Sequence, residues 1–151
     1  MQVSLDLIKK LREETSAGVS DCRKALEDAE GNIDNARKLL LERGLEKAAK
    51  KEGKETSQGV VEAYVHSGRV GVLVELRCET DFVARTDEFK QLAHEIALQI
   101  AAMNPQSTDE LLKSAYIRDG ALTIDALMKL SIAKVGENIT VAKFSRLALD
   151  E

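Results

Sequence analysis

Between Glu46 and Gln58 the chain loses its apolar face. Lys47, Lys50, Lys51 and Lys54 alternate with Glu52, Glu55 and small residues. That pattern gives a solvated helix extension or a linker, with the linker favoured over residues 53–59. The break divides the 151 residues into two parts, each of which must find its own core. A chain of this length can bury about 70% of its unfolded surface and needs no disulfide framework. The expected division is a helical module at 1–45, a linker at 46–58 and an α+β module at 59–151.

Before the break, apolar residues recur at helical spacing in three short groups. Ser4 can cap a helix with Leu7, Ile8 and Leu11 on one face. Ser20 can cap a second with Cys22, Ala25, Leu26 and Ala29 inward. Asn32 can cap a third with Ile33, Ala36, Leu39 and Leu40 inward, and Gly44 is placed to close it. After the break, Val60–Val65 and Val70–Leu76 flank His66-Ser67-Gly68-Arg69, which reads as a β-hairpin. Thr86 can cap a long helix carrying Phe89, Leu92, Ile96, Ile100 and Met103, ending before Pro105. Thr108 can cap a further turn. Thr123 can open a helix with Ile124, Leu127 and Leu130, closed by Gly136. Residues 139–149 have strand propensity. The fold class is α+β: a three-helix bundle, then a small antiparallel sheet with packed helices.

Several functions are excluded. Acidic residues outnumber basic ones, 26 to 22, for a net charge of −4. A chain that binds duplex nucleic acid directly needs a broad basic footprint instead. With three Phe, two Tyr and no Trp, it has no stacking platform for single strands. Cys22 and Cys78 lack zinc-ribbon spacing and read as reduced thiols. There is no phosphate-binding GxxxxGK[ST] and no GxGxxG. His94-Glu95 opens a zinc-protease motif, but Leu98 stands where its second histidine is required. No metal, cofactor or catalytic residue is expected. A pair of Cys78 with His66 across the sheet is conceivable, though a buried structural thiol is the stronger reading. The N-terminus has no basic and apolar leader, and no apolar run approaches a membrane span, so a cytoplasmic protein is expected.

One segment remains conspicuous: Cys78-Glu79-Thr80-Asp81-Phe82-Val83-Ala84-Arg85-Thr86. It joins the hairpin to the long helix, where Gly, Asn or Ser would be usual, and carries an acid followed by Phe. Phe82 can fold back as a core plug. The residues alone favour that plug; the other reading is an aromatic anchor that stands out for a partner's pocket.

Three stretches resemble one family. Leu11-Arg12-Glu13-Glu14-Thr15-Ser16-Ala17-Gly18-Val19-Ser20-Asp21-Cys22-Arg23-Lys24-Ala25-Leu26 is similar to the N-terminal signature of bacterial elongation factor Ts. Thr80-Asp81-Phe82-Val83 resembles its exchange motif, and Lys134-Val135-Gly136-Glu137-Asn138-Ile139 its C-terminal signature. The resemblance implies a guanine-nucleotide exchange factor acting on elongation factor Tu, in its GDP-bound and nucleotide-free states, during translation elongation. The N-terminal helices would be a ubiquitin-associated-like domain and the remainder a core, or dimerisation, domain. Phe82 would be a wedge between helices of the partner's GTPase domain, with Asp81 its polar companion and Thr80 and Val83 flanking. Arg12, Thr15, Ala17, Gly18, Val19 and Lys24 would dock on another helix of that domain.

Two departures from the family pattern matter. Ser16 replaces a glycine, a mild change if its φ is negative. Only a few residues separate Pro105 from Leu111, where longer members carry a second core subdomain, a coiled coil or both. This chain keeps one core half, so a homodimer is the expected way to hide its sheet edge. The alternatives are an adaptor for a helical or ubiquitin-like partner and a binder of elongation factor Tu without exchange activity.

Overall fold

The computed structural model describes residues 2–149. Two compact units result, Met1–Lys47 and Ala48–Glu151. The first holds α1 (Leu5–Thr15), α2 (Val19–Asp28) and most of α3 (Ile33–Ala49), closed around Ile8, Leu11, Cys22, Ala25, Leu26 and Ala36. Ser4 caps α1 as its position suggests, its Oγ accepting the Leu7 N–H at 3.2 Å. Asn32 does the same for α3 through the Asn35 N–H at 3.0 Å.

Three local expectations fail here. Gly18, not Ser20, is the N-cap of α2, because the turn from α1 is short enough for the helix to begin at Val19. Gly44 does not end α3, which continues to Ala49. A lone glycine costs a helix only about 1 kcal/mol, less than packing can return. Ser16 is the C-cap of α1 with φ at 58°, so the condition for a mild replacement is not met.

The second unit is built on a three-stranded antiparallel sheet in the order β1-β2-β5, from β1 (Gln58–His66), β2 (Val70–Cys78) and β5 (Ile139–Ala148). Ser67 and Gly68, both left-handed at φ 51° and 66°, make the hairpin turn, closed by Arg69 N–H on His66 O at 2.9 Å. Paired left-handed residues match the strand twist. One face of the sheet buries Val72, Val74, Leu76 and Cys78 under α5 (Asp87–Met103). Thr86 caps α5, with its Oγ1 accepting Phe89 N–H at 3.2 Å.

Met103, expected inward, is half exposed at the last turn of α5. Glu95 and Gln99 are buried instead. Around them lie α6 (Thr108–Lys113), the two-stranded β3 (Ala115–Tyr116) and β4 (Asp119–Thr123), and α7 (Ile124–Val135). Ser107 rather than Thr108 caps α6, by accepting Glu110 N–H. In α7 the inward residues are Ile124, Met128 and Ile132, an i,i+4 row instead of the expected i,i+3 one. Residues 54–57 have no regular structure but are tied down: Asn138 Nδ2 donates to Lys54 O at 2.8 Å, and the Thr56 and Thr140 hydroxyls meet at 2.7 Å.

Candidate functional site

The conspicuous segment after β2 is not an irregular loop. Asp81–Ala84 forms a single helical turn, α4, set between two threonine caps. Thr80 Oγ1 accepts Val83 N–H at 3.3 Å at its start. At its end Thr86 Oγ1 donates to Val83 O at 2.7 Å while capping α5. Val83 and Ala84 are buried in the core and Phe82 is exposed. Of the two conformations open to Phe82, the structure has the outward one. The side chain in the core is its neighbour.

Asp81 is also exposed and lies in an ion pair with Arg85, four residues on. Both partners face solvent, so the pair contributes little rigidity. Stronger restraint comes from below. The Glu137 carboxylate accepts Thr80 N–H at 2.9 Å and the Thr80 hydroxyl at 2.7 Å. In return, Asn138 N–H donates to the Glu79 carboxylate at 2.9 Å. Cys78 Sγ donates to Thr80 O at 3.2 Å, and burial pushes its thiol pKa up. The 134–139 and 80–83 motifs are therefore in direct contact, which the sequence spacing does not reveal.

The N-terminal candidates separate into two kinds. Arg12, Gly18, Val19 and Lys24 are exposed. Thr15 and Ala17 are half-buried and shape the α1–α2 turn: Thr15 Oγ1 donates to Leu11 O at 2.7 Å and accepts Ala17 N–H at 3.3 Å. Ala17 O in turn faces the Cys22 thiol at 3.8 Å, and burial raises the pKa of that thiol.

Other combinations dissolve. His66 pairs with Val70 and Cys78 with Gln58, at opposite ends of the hairpin. Eight residues of strand separate them by about 26 Å, far beyond proton transfer. His94 lies half-buried against the Tyr64 ring, edge-on at 5.9 Å. Among the described residues no three His, Cys, Asp or Glu side chains gather as metal ligands. No described helix is long and apolar enough to cross a membrane.

Known proteins give the geometry its context. Residues 79–151 match the family described as Elongation factor TS, so the match begins one residue before the Thr80 cap. The elongation factor Ts of Coprothermobacter proteolyticus is 42% identical over 197 positions, covering 100% of both chains. This chain belongs to the elongation factor Ts family. The elongation factor Ts proteins of Thermotoga neapolitana and Thermotoga maritima are 42% and 40% identical over 195 positions, covering 100% of this chain and 99% and 98% of theirs. Membership places the chain among translation elongation factors. The 197 aligned positions exceed its 151 residues, so at least 46 positions of the Coprothermobacter elongation factor Ts have no counterpart here.

Proposed function

We propose that this chain is a guanine-nucleotide exchange factor that promotes GDP release from elongation factor Tu in translation elongation. The observation that carries the proposal is the exposure of Phe82 on a turn fixed at both ends. An aromatic anchor binds best when it is rigid before contact, because little motion is then lost on docking. Asp81, first in the same turn, would bring negative charge toward the magnesium and phosphate region of the GTPase domain. Arg12, Gly18, Val19 and Lys24 would make the second contact, with Thr15 and Ala17 setting the shape of their turn.

The mechanism is linkage. A factor that binds the nucleotide-free partner more tightly must be bound less tightly when GDP is present, by the same factor. A thousandfold weakening of GDP corresponds to about 4 kcal/mol in each direction. No covalent bond changes, so the chain would act without catalytic residues, cofactor or nucleotide of its own. The work would be done in the cytoplasm, where translation takes place.

Release of fluorescent GDP from elongation factor Tu, followed by stopped flow with and without this chain, tests the proposal. Acceleration that saturates with factor concentration is the expected result. Binding without acceleration would make the chain a non-exchanging binder, and no binding would leave an adaptor for another partner.

A further inference from the structure

A four-residue helix has no stability of its own, since nucleation alone outweighs the bonds it makes. The orientation of α4 must therefore come from its surroundings. On one side Val83 and Ala84 sit in the core. On the other is Thr80, every polar group of which is occupied. Its N–H and hydroxyl donate to the two oxygens of Glu137, 57 residues away in sequence. Its carbonyl accepts from Cys78 Sγ and from Ala84 N–H, each at 3.2 Å.

The hydroxyl bonds are coupled. To cap α4, Thr80 Oγ1 must turn a lone pair toward Val83 N–H, and its proton must then go elsewhere. Glu137 receives that proton, so the carboxylate selects the rotamer that caps the helix. These bonds are charge-assisted, the stronger class. Glu137 is itself fixed. Gly136, left-handed at φ 78°, ends α7 and turns the chain toward α4. Asn138 then holds both Glu79 and Lys54 O. Residues 79–80 and 137–138 form a reciprocal clasp, each side donating a backbone N–H to the other side's carboxylate. The Asp81–Arg85 pair cannot replace it, because it joins residues four apart at the two ends of α4 and ties the turn to nothing outside it.

We infer that Glu137 is a positioning residue for the proposed exchange reaction, holding the Thr80 cap so that Asp81 and Phe82 meet the partner in one orientation. The inference rests on the exchange function proposed above. Glu137 need not touch the partner, and its loss should lower the maximal rate of GDP release more than the affinity of the factor.

The test uses the full chain with Glu137→Ala and Glu137→Gln. Glutamine keeps an acceptor for Thr80 N–H but presents an amide donor to the hydroxyl. At saturating factor, release should slow about tenfold or more for alanine and less for glutamine, the size expected for a lost charge-assisted bond. The half-saturating concentration should move far less. Adding Phe82→Ala to Glu137→Ala should cause much less further loss than Phe82→Ala alone, because both act through one side chain. Independently, amide hydrogen exchange at Val83 and Ala84 should quicken in Glu137→Ala. Wild-type release per folded molecule together with wild-type amide protection in Glu137→Ala would overturn the inference. A wild-type chain that releases no GDP would overturn the exchange function instead, and amide rates would then decide whether Glu137 holds the turn.

Discussion

Phe82 and Val83 are consecutive residues at opposite extremes of exposure, 82% and 6%. One helical turn separates the two roles that an aromatic in this segment could have played. Because Val83 and not Phe82 fills the core, Phe82→Ala should leave the melting temperature within a few degrees of wild type. Under the proposed function it should remove most exchange activity, since truncating an exposed aromatic hot spot costs about 2–4 kcal/mol of partner interaction. Asp81→Ala should have a smaller effect. Thermal melting beside stopped-flow GDP release checks both, and a large fall in melting temperature for Phe82→Ala would contradict the outward side chain.

Ser16 closes α1 with φ at 58°, a conformation in which its Cβ crowds the backbone. Ser16→Gly should therefore stabilise the N-terminal bundle, by about 1 kcal/mol. Urea unfolding followed by a probe in residues 5–49 measures it. No shift, or a downward one, would mean that the serine hydroxyl contributes more than its backbone strain costs.

Most elements were legible because their signals are local. The hairpin showed in two β-branched runs about a Gly-containing turn, and α5 in its 3.6-residue spacing and its threonine cap. What was hidden is what lies far apart in sequence. Glu95 and Gln99 are polar residues outside the apolar spacing of α5, yet both are buried. Glu95 accepts from Tyr116 at 2.8 Å and Arg118 at 2.6 Å, while Gln99 binds Ser114, Ala115 and Ile117. Their partners sit 15 to 23 residues away, on the segment that folds back over α5. The bond between Thr80 and Glu137 was hidden for the same reason. The 80–83 motif could be picked out by its odd composition, but its N-terminal support could not.

Gly59 marks a close approach. A Cβ there would lie 2.1 Å from Leu76 O across the β1–β2 pair, so backbone must move to admit it. Gly59→Ala should destabilise the second unit by about 1–3 kcal/mol, the range of overpacked sites. An unchanged urea midpoint would contradict the close approach of β2 to Gly59.

Tyr116 carries a pH signature. Burial, reinforced by its hydrogen bond to Glu95, raises the phenol from 10.0 to about 12. The unfolded chain therefore loses this proton first. Its contribution to stability is complete below about pH 10 and declines as pH rises toward 12. Tyr116→Phe removes one of the two donors to Glu95 Oε2 and should cost about 1 kcal/mol at neutral pH. The gap between wild type and variant should narrow from pH 9.5 to 11.5, by urea unfolding at each pH. A gap that stays constant or widens would show that the phenol is not held neutral.

The sheet face turned away from α5 carries the last prediction. The strand register sets Val65, Gly71 and Leu147 in one row and Ala63, Leu73 and Ser145 in the next. Val61, Val65, Leu73 and Leu147 are all exposed, Leu147 by 80%. Alternation puts these side chains on one face, with Glu75 and Lys143 in the adjoining row. The sequence pointed to an exposed sheet edge. Among the described residues β1 and β5 are the outer strands of the sheet, and beside them lies a broader apolar face. A second copy related by a two-fold axis would lay the same face on itself, as in a sheet-on-sheet sandwich. Such a contact must bury on the order of 1,200 Å² in total to be stable, which a three-stranded face can supply. The chain is therefore expected to be a dimer at micromolar concentration by light scattering after size exclusion. Reductant should make no difference, because Cys22 and Cys78 are both free and buried. Leu73→Glu and Leu147→Glu should each give a folded monomer, since each would bury unpaired charges in an apolar contact. A wild-type monomer would refute the dimer outright, and a dimer that survives both substitutions would place its interface elsewhere.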